Sequence, residues 1–166
     1  MVFNELLPAP KAVDWDGDGK PTATDEWIEL LNTTKQPVDL SGWRLETGRG
    51  GGASYRFPRG TMLRPGVILV LYQRQTRLKL DDAGGTVRLV DRGGKVADAV
   101  RYDALGPDAS HGRDAKNVWH GDWSPSPGSP NVPPGAPGRG KGTSTVTPPP
   151  GNSEPVTPTA TPGSSG

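Results

Sequence analysis

The segment Asp14-Trp15-Asp16-Gly17-Asp18-Gly19 sets carboxylates at the first, third and fifth positions of a loop and a glycine at the sixth. Lys20 then offers a main-chain carbonyl at the seventh position, Thr22 stands at the ninth and Asp25 at the twelfth. That is the ligand spacing of a calcium loop: a hard cation takes roughly six to eight oxygens, and alternate residues of a tightly turned segment point inward. The candidate ligands are therefore Asp14, Asp16, Asp18 and Asp25 through their side chains and Lys20 through its carbonyl, with calcium as the cation. Asp25 replaces the longer, bidentate Glu usual at the twelfth position, so weak binding or a preference for smaller ions is expected, although Glu26 follows at once. The same residues also compose an ordinary solvated turn, because Asp bonds its own backbone and tolerates unusual φ.

Other polar residues invite and then weaken a catalytic reading. Glu5 and Glu29 both fall in strand-like runs; paired carboxylates about 5 to 9 Å apart do acid–base work in glycosidases. Supporting loops by hydrogen bonds, or completing a calcium shell, are the alternatives for them. Ser110-His111 with His120 is the one arrangement offering a nucleophile and a base, but no Gly-x-Ser-x-Gly elbow accompanies it. Two histidines fall short of a transition-metal site, and the absence of cysteine excludes thiol nucleophiles, disulfides and thiolate-bound metals.

Charge is unevenly spread. Residues 1–43 hold 3 cations and 8 anions, whereas residues 44–101 hold 12 cations and 5 anions. Arg49, Arg56, Arg59, Arg64, Arg74, Arg77, Lys79 and Arg88 form a candidate surface for DNA or an acidic glycan. Aromatics for base stacking are sparse among them, so cations that protect sheet edges and keep the surface soluble are the favoured reading over nucleic-acid binding. Trp15, Trp119 and Trp123 lie in loop-like segments where a ring can stack on sugar, while Trp27 and Trp43 sit in strands and are expected to anchor two sheets.

The elements that must hold these groups are strands. Short apolar or alternating runs are divided by Gly, Pro and Asp clusters: Val2–Leu7, Glu26–Leu31, Val38–Glu46, Ser54–Phe57, Val67–Tyr72, Arg77–Leu80, Thr86–Asp91 and Val96–Tyr102. Arg77-Leu78-Lys79-Leu80 alternates leucine with cation, and Val67–Tyr72 lacks polar alternation, as a strand buried on both faces would. Thr86–Tyr102 reads as a hairpin turning through Arg92-Gly93-Gly94-Lys95. Nothing sustains a helical period, so helices are expected to be single turns at most. The fold class is all-β, a sandwich with a small barrel as the competing architecture.

From Ser124 to Gly166, 33 of 43 residues are Pro, Gly, Ser or Thr and none is aromatic. Such a stretch buries too little apolar surface to offset chain entropy, so residues 132–166 are expected to be a disordered linker or stalk. The longest apolar run falls far below the ~20 residues of a membrane helix, and no insertion into a bilayer is expected.

The runs Asp25-Glu26-Trp27-Ile28-Glu29-Leu30-Leu31-Asn32 and Val38-Asp39-Leu40-Ser41-Gly42-Trp43-Arg44-Leu45 together resemble the bacterial lamin-tail domain. Asn4-Glu5, Tyr55-Arg56-Phe57-Pro58, Gly60-Thr61, Pro65-Gly66, Gly85-Thr86-Val87-Arg88-Leu89, Ser110-His111-Gly112-Arg113 and the closing Ser126-Pro127-Gly128-Ser129-Pro130-Asn131 extend the likeness over residues 2–131. The resemblance implies an immunoglobulin-like β-sandwich over 2–131. It also implies a non-catalytic module, secreted or surface-attached, with an Asp-rich insert between its first two strands. It transfers no ligand residues. The expected role is a monomeric interaction or attachment module for an unidentified protein or surface polymer. The alternative is an accessory domain that brings a linked nuclease or hydrolase to a polyanion.

Overall fold

A computed structural model describes residues 1–48 and 52–133. Arg49 and the stretch from residue 134 onward, including most of the expected linker, lie outside the described residues.

Among the described residues, eleven strands, all antiparallel, build two facing sheets and a short ribbon. The first sheet contains β1 (Val2–Leu7), β2 (Trp27–Leu31), β7 (Ile68–Tyr72), β10 (Ser110–Arg113) and β11 (Trp119–Trp123), in the order β11-β10-β1-β2-β7. The second contains β4 (Arg44–Thr47), β5 (Ser54–Arg56), β8 (Gly84–Val90) and β9 (Val96–Asp103), in the order β5-β4-β8-β9. A ribbon of β3 (Val38–Asp39) and β6 (Met62–Leu63) closes one side. This is an immunoglobulin-like β-sandwich, as expected. Among the described residues, helix is confined to a 3-10 turn at Ala23–Asp25 and to α1 (Gln73–Thr76).

The period-2 alternation of the strands sorts side chains between two environments. Phe3, Leu6, Ile28, Leu30, Leu69 and Leu71 of the first sheet meet Leu45, Val87, Leu89, Val100 and Tyr102 of the second in the main core, all at most 7% exposed. The opposite face of the first sheet carries a second, smaller cluster of Leu7, Trp27 and Val70, against which Trp15, Ile68 and Tyr72 pack. Trp27 is thus buried but belongs to the outer face rather than to the inter-sheet core. Its position in β2 alternates with Ile28 and Leu30, and the expectation that it joins the two sheets is corrected accordingly. The Trp43 ring does pack on the main core. Val67–Tyr72 serves both clusters, which is why it lacks polar alternation.

Two expected strands differ. Val38–Glu46 is broken in the middle: Gly42 takes φ 75, Trp43 N–H bonds the carbonyl of Leu40, and the chain passes from the ribbon to the second sheet. Arg77–Leu80 is not a strand. Arg77 adopts a left-handed φ of 59 after α1, and the amides of Leu78 and Leu80 bond the Thr76 hydroxyl and the Glu26 carboxylate instead of a neighbouring strand. The alternation still reads burial correctly, since Leu78 and Leu80 are 2% and 1% exposed.

Candidate functional site

The outer face of the first sheet is covered from two directions, and buried carboxylates fasten both covers. At one end lies the Asp-rich segment between β1 and β2. Asp25, fully buried, accepts the amides of Trp15 (2.7 Å) and Asp16 (2.9 Å) on one oxygen and that of Thr22 (2.7 Å) on the other. The Thr22 hydroxyl in turn accepts from Thr24 N–H, so residues 22–25 form a reciprocal cap. Trp15 lies over the second cluster and anchors the segment to the sheet.

Within this frame Asp14, Asp16 and Asp18 converge, each offering an oxygen within 4.8 Å of the others. Asp14 accepts the amides of Gly17, Asp18 and Gly19; Asp16 accepts that of Asp18, and Asp18 that of Lys20. Gly17 and Gly19 take φ of 76 and 96, the left-handed conformations that wrap these amides about the carboxylates. The Asp16 side chain is only 1% exposed and its Oδ2 accepts no hydrogen bond, its nearest cation being Arg74 Nε at 3.6 Å. Burial, partly offset by the Asp18 amide and Arg74, pushes its carboxyl above the ordinary value. Of the five residues singled out in the sequence, three converge. Asp25 stands behind them as the brace of the loop.

Glu5 and Glu29 are not part of that cluster. They are cross-strand partners on β1 and β2, both fully buried. Glu29 accepts Asn4 Nδ2 at 2.9 Å and Gly128 N–H at 2.5 Å. Glu5 meets the Ser110 hydroxyl at 2.5 Å and the hydroxyl of Ser126 at 2.7 Å, with the Ser126 amide at 3.3 Å. The second cover, Ser124–Asn131, is thereby tied down, and Asn131 completes it by donating to the carbonyls of Asn4 and Arg113. Burial pushes Glu5 up to about 7 and Glu29 well above its usual range, the two charges also opposing each other. Tyr72 is pushed to about 12, first by burial and then by Glu29, Asp16 and Asp25, so both covers share one electrostatically connected face.

The serine and histidines do not assemble as nucleophile and base. Adjacent strand residues point to opposite faces: Ser110 turns to Glu5, while His111 stacks on Trp119 at 4.8 Å. His120 stacks on Trp123 and bonds Asp114 at 3.1 Å. Arg113 lies 4.9 Å over the Trp119 ring, so Trp119 is engaged by both His111 and Arg113.

The candidate cations are distributed over several edges rather than one face. Arg74 pairs with Asp16, and Arg88 with Glu46 at 3.3 Å. Lys79 lines a polar cleft with Asp81, Arg101 and Asp103. Arg64 follows β6 and Arg77 follows α1, both exposed. Arg56 and Arg59 do come together, in an open concavity that also holds Arg92, which sequence reading left out; Asp39 pairs with Arg92 at 3.2 Å. Sequence reading also missed Ser126 and Gly128 as partners of the buried glutamates, although the closing motif had been marked.

A family model described as Lamin Tail Domain matches residues 2–104. No curated protein matches the chain.

Proposed function

The chain belongs to the lamin tail domain family, and from that premise we propose that it is a non-catalytic interaction module of the cell exterior whose Asp-rich loop is clamped by calcium. The observation that carries the reading is the convergence of Asp14, Asp16 and Asp18, together with a buried Asp16 Oδ2 that accepts no hydrogen bond and has the half-exposed Arg74 at 3.6 Å as its counter-charge. Such an oxygen is costly to bury unless a cation or proton meets it. Calcium would take the three carboxylates, with the Lys20 carbonyl and water as further oxygens, and Asp25 would set the loop's shape from behind. With no long bidentate carboxylate the site suits the weak range, about 10⁻⁴ to 10⁻³ M, of extracellular modules, where calcium is plentiful. A non-catalytic role is supported by the occupations of the buried acids. Asp25, Glu26, Glu29 and Glu5 are all committed to main-chain amides, hydroxyls or a side-chain amide that hold loops in place.

The test is calcium titration. At a tenfold excess over Kd a single site adds about 1.4 kcal/mol, or a rise of some 3–6 °C in melting temperature for a domain of this size. Asp16→Asn should abolish the rise. Absence of both binding heat and a melting shift at millimolar calcium defeats the reading.

A second reading, delivery of a linked enzyme to a polyanion, draws on Arg56, Arg59 and Arg92 in one concavity. It requires binding to DNA or an acidic glycan that weakens steeply with salt and is reduced by Arg56→Ala with Arg59→Ala.

A further inference from the structure

The Ser110 hydroxyl has two acceptors and one proton. It lies 2.5 Å from Glu5 Oε1 and 3.1 Å from the main-chain oxygen of Trp123. If Glu5 is ionised, one of those two acceptors goes without the hydroxyl's hydrogen, because a hydroxyl donates once. A proton on Glu5 Oε1 removes the conflict: the acid donates to Ser110 Oγ, and Ser110 donates to Trp123. Oε2 remains free to accept from the Ser126 hydroxyl and amide. Glu29 shows the opposite pattern. Its two oxygens each accept an N–H, from Asn4 and from Gly128, as a carboxylate's would.

We propose that Glu5 and Glu29 form a one-proton pair, the proton residing on Glu5, and that this proton latches the segment Ser124–Asn131 onto the sheet. Loss of the proton sets two negative charges side by side beneath the segment. The segment brings no cation to them: Ser124–Asn131 contains only Ser, Pro, Gly and Asn. From β10 the facing group is Ser110, from β2 it is Glu29 itself, and from β7 it is Tyr72, whose phenol feels Glu29. Arg113 of β10 points elsewhere, to Trp119 and Asp98. Repulsion is therefore relieved by lifting the segment and admitting water. The latch is closed in mild acid and weakened toward neutral and alkaline pH, so the surface under Ser126 and Gly128 becomes available to a partner in a proton-dependent way.

The sign follows from linkage. A carboxyl that is freed when the segment opens returns toward 4.5, whereas closed it sits at about 7. Opening thus releases a proton between those values, and the opening constant rises close to tenfold per pH unit from about pH 5 to 6.5, levelling above about pH 7.5.

Two measurements on the full chain test this. Carboxyl-carbon NMR should show Glu5 still protonated at pH 5.5 and titrating near neutrality; a Glu5 signal already ionised at pH 5.5 overturns the proposal whatever any variant does. Amide hydrogen exchange, corrected for its intrinsic pH dependence, should show protection of Ser126 and Gly128 falling some thirty- to fortyfold between pH 5 and 7, while amides of β8 fall less. In Glu5→Gln, which keeps a donor at this position without a titratable proton, that fall should disappear. An equal fall in Glu5→Gln, or no fall in the wild type, defeats the latch.

Discussion

At the scale of single residues, two aspartates ten or fewer positions apart have opposite jobs. Asp25 accepts three main-chain amides while fully buried. Asn at that position has one accepting oxygen and turns an N–H₂ toward amides that need acceptors, so Asp25→Asn should cost about 2–3 kcal/mol in urea unfolding with or without calcium. Asp16 instead holds an unbonded buried oxygen. Without calcium, Asp16→Asn should change stability by less than about 1 kcal/mol, because the bond from Asp18 N–H survives on Oδ1 and the long contact to Arg74 is weak. With calcium, the variant should lose the whole ligand-dependent gain. Similar losses from both variants in calcium-free buffer would mean that Asp16 is a brace as well. The spacing of Asp14, Asp16 and Asp18 was legible in sequence because local spacing dictates local convergence. The brace role of Asp25 was not, since it depends on the chain folding back over Trp15.

At the scale of elements, alternation was read well where it coincided with pairing and poorly where burial came without a ladder. Thr86–Tyr102 is the hairpin expected, extended by Gly84, Gly85 and Asp103, and its turn closes with Asp91 N–H on Lys95 O. Gly84 has φ 104, and a Cβ there would stand 2.8 Å from the Tyr102 carbonyl. Gly84→Ala should therefore cost at least about 2 kcal/mol, measured by thermal melting, while Gly94→Ala meets no atom within 4 Å and pays only its backbone conformation at φ 88. Arg77–Leu80 misled because two leucines with side-chain-satisfied amides mimic a strand. β10 and β11 were passed over because Ser110–Arg113 and Trp119–Trp123 are short, polar and glycine-containing. Their stability comes from Trp123 resting on Gly112 and from Ser110 on Glu5, contacts about a hundred residues apart in the second case. A chain ending at residue 104, where the family match stops, lacks both strands and strips Glu5 and Asn4 of their partners Ser110, Ser126 and Asn131. It should not give a cooperative melt, whereas a chain ending at residue 133 should melt as the full chain does.

At the scale of the whole molecule, acids buried within folded contacts govern how stability responds to pH. Glu5 and Glu26 are both pushed up to about 7, in each case chiefly by burial. A group whose folded value is raised holds its proton in the native state after the unfolded chain has released it. Its stabilising contribution is complete below about 4.5 and is lost as pH rises through the folded value. His111 opposes this, since burial lowers its imidazole and acidification below about 6.5 favours the unfolded chain. The two carboxyls raised to about 7 outweigh one lowered imidazole, so the domain should be more resistant to urea at pH 5 than at pH 8. Glu26 reports on a different place from Glu5: its Oε2 holds the amide of Leu80 at 2.6 Å, at the irregular segment following α1. Glu26→Gln should flatten part of the slope without altering exchange at Ser126, and Glu5→Gln should flatten another part while altering it. If urea midpoints measured from pH 5 to 8 rise instead of fall, the carboxyls are ionised inside the fold, and the covers are held by charged hydrogen bonds rather than by retained protons.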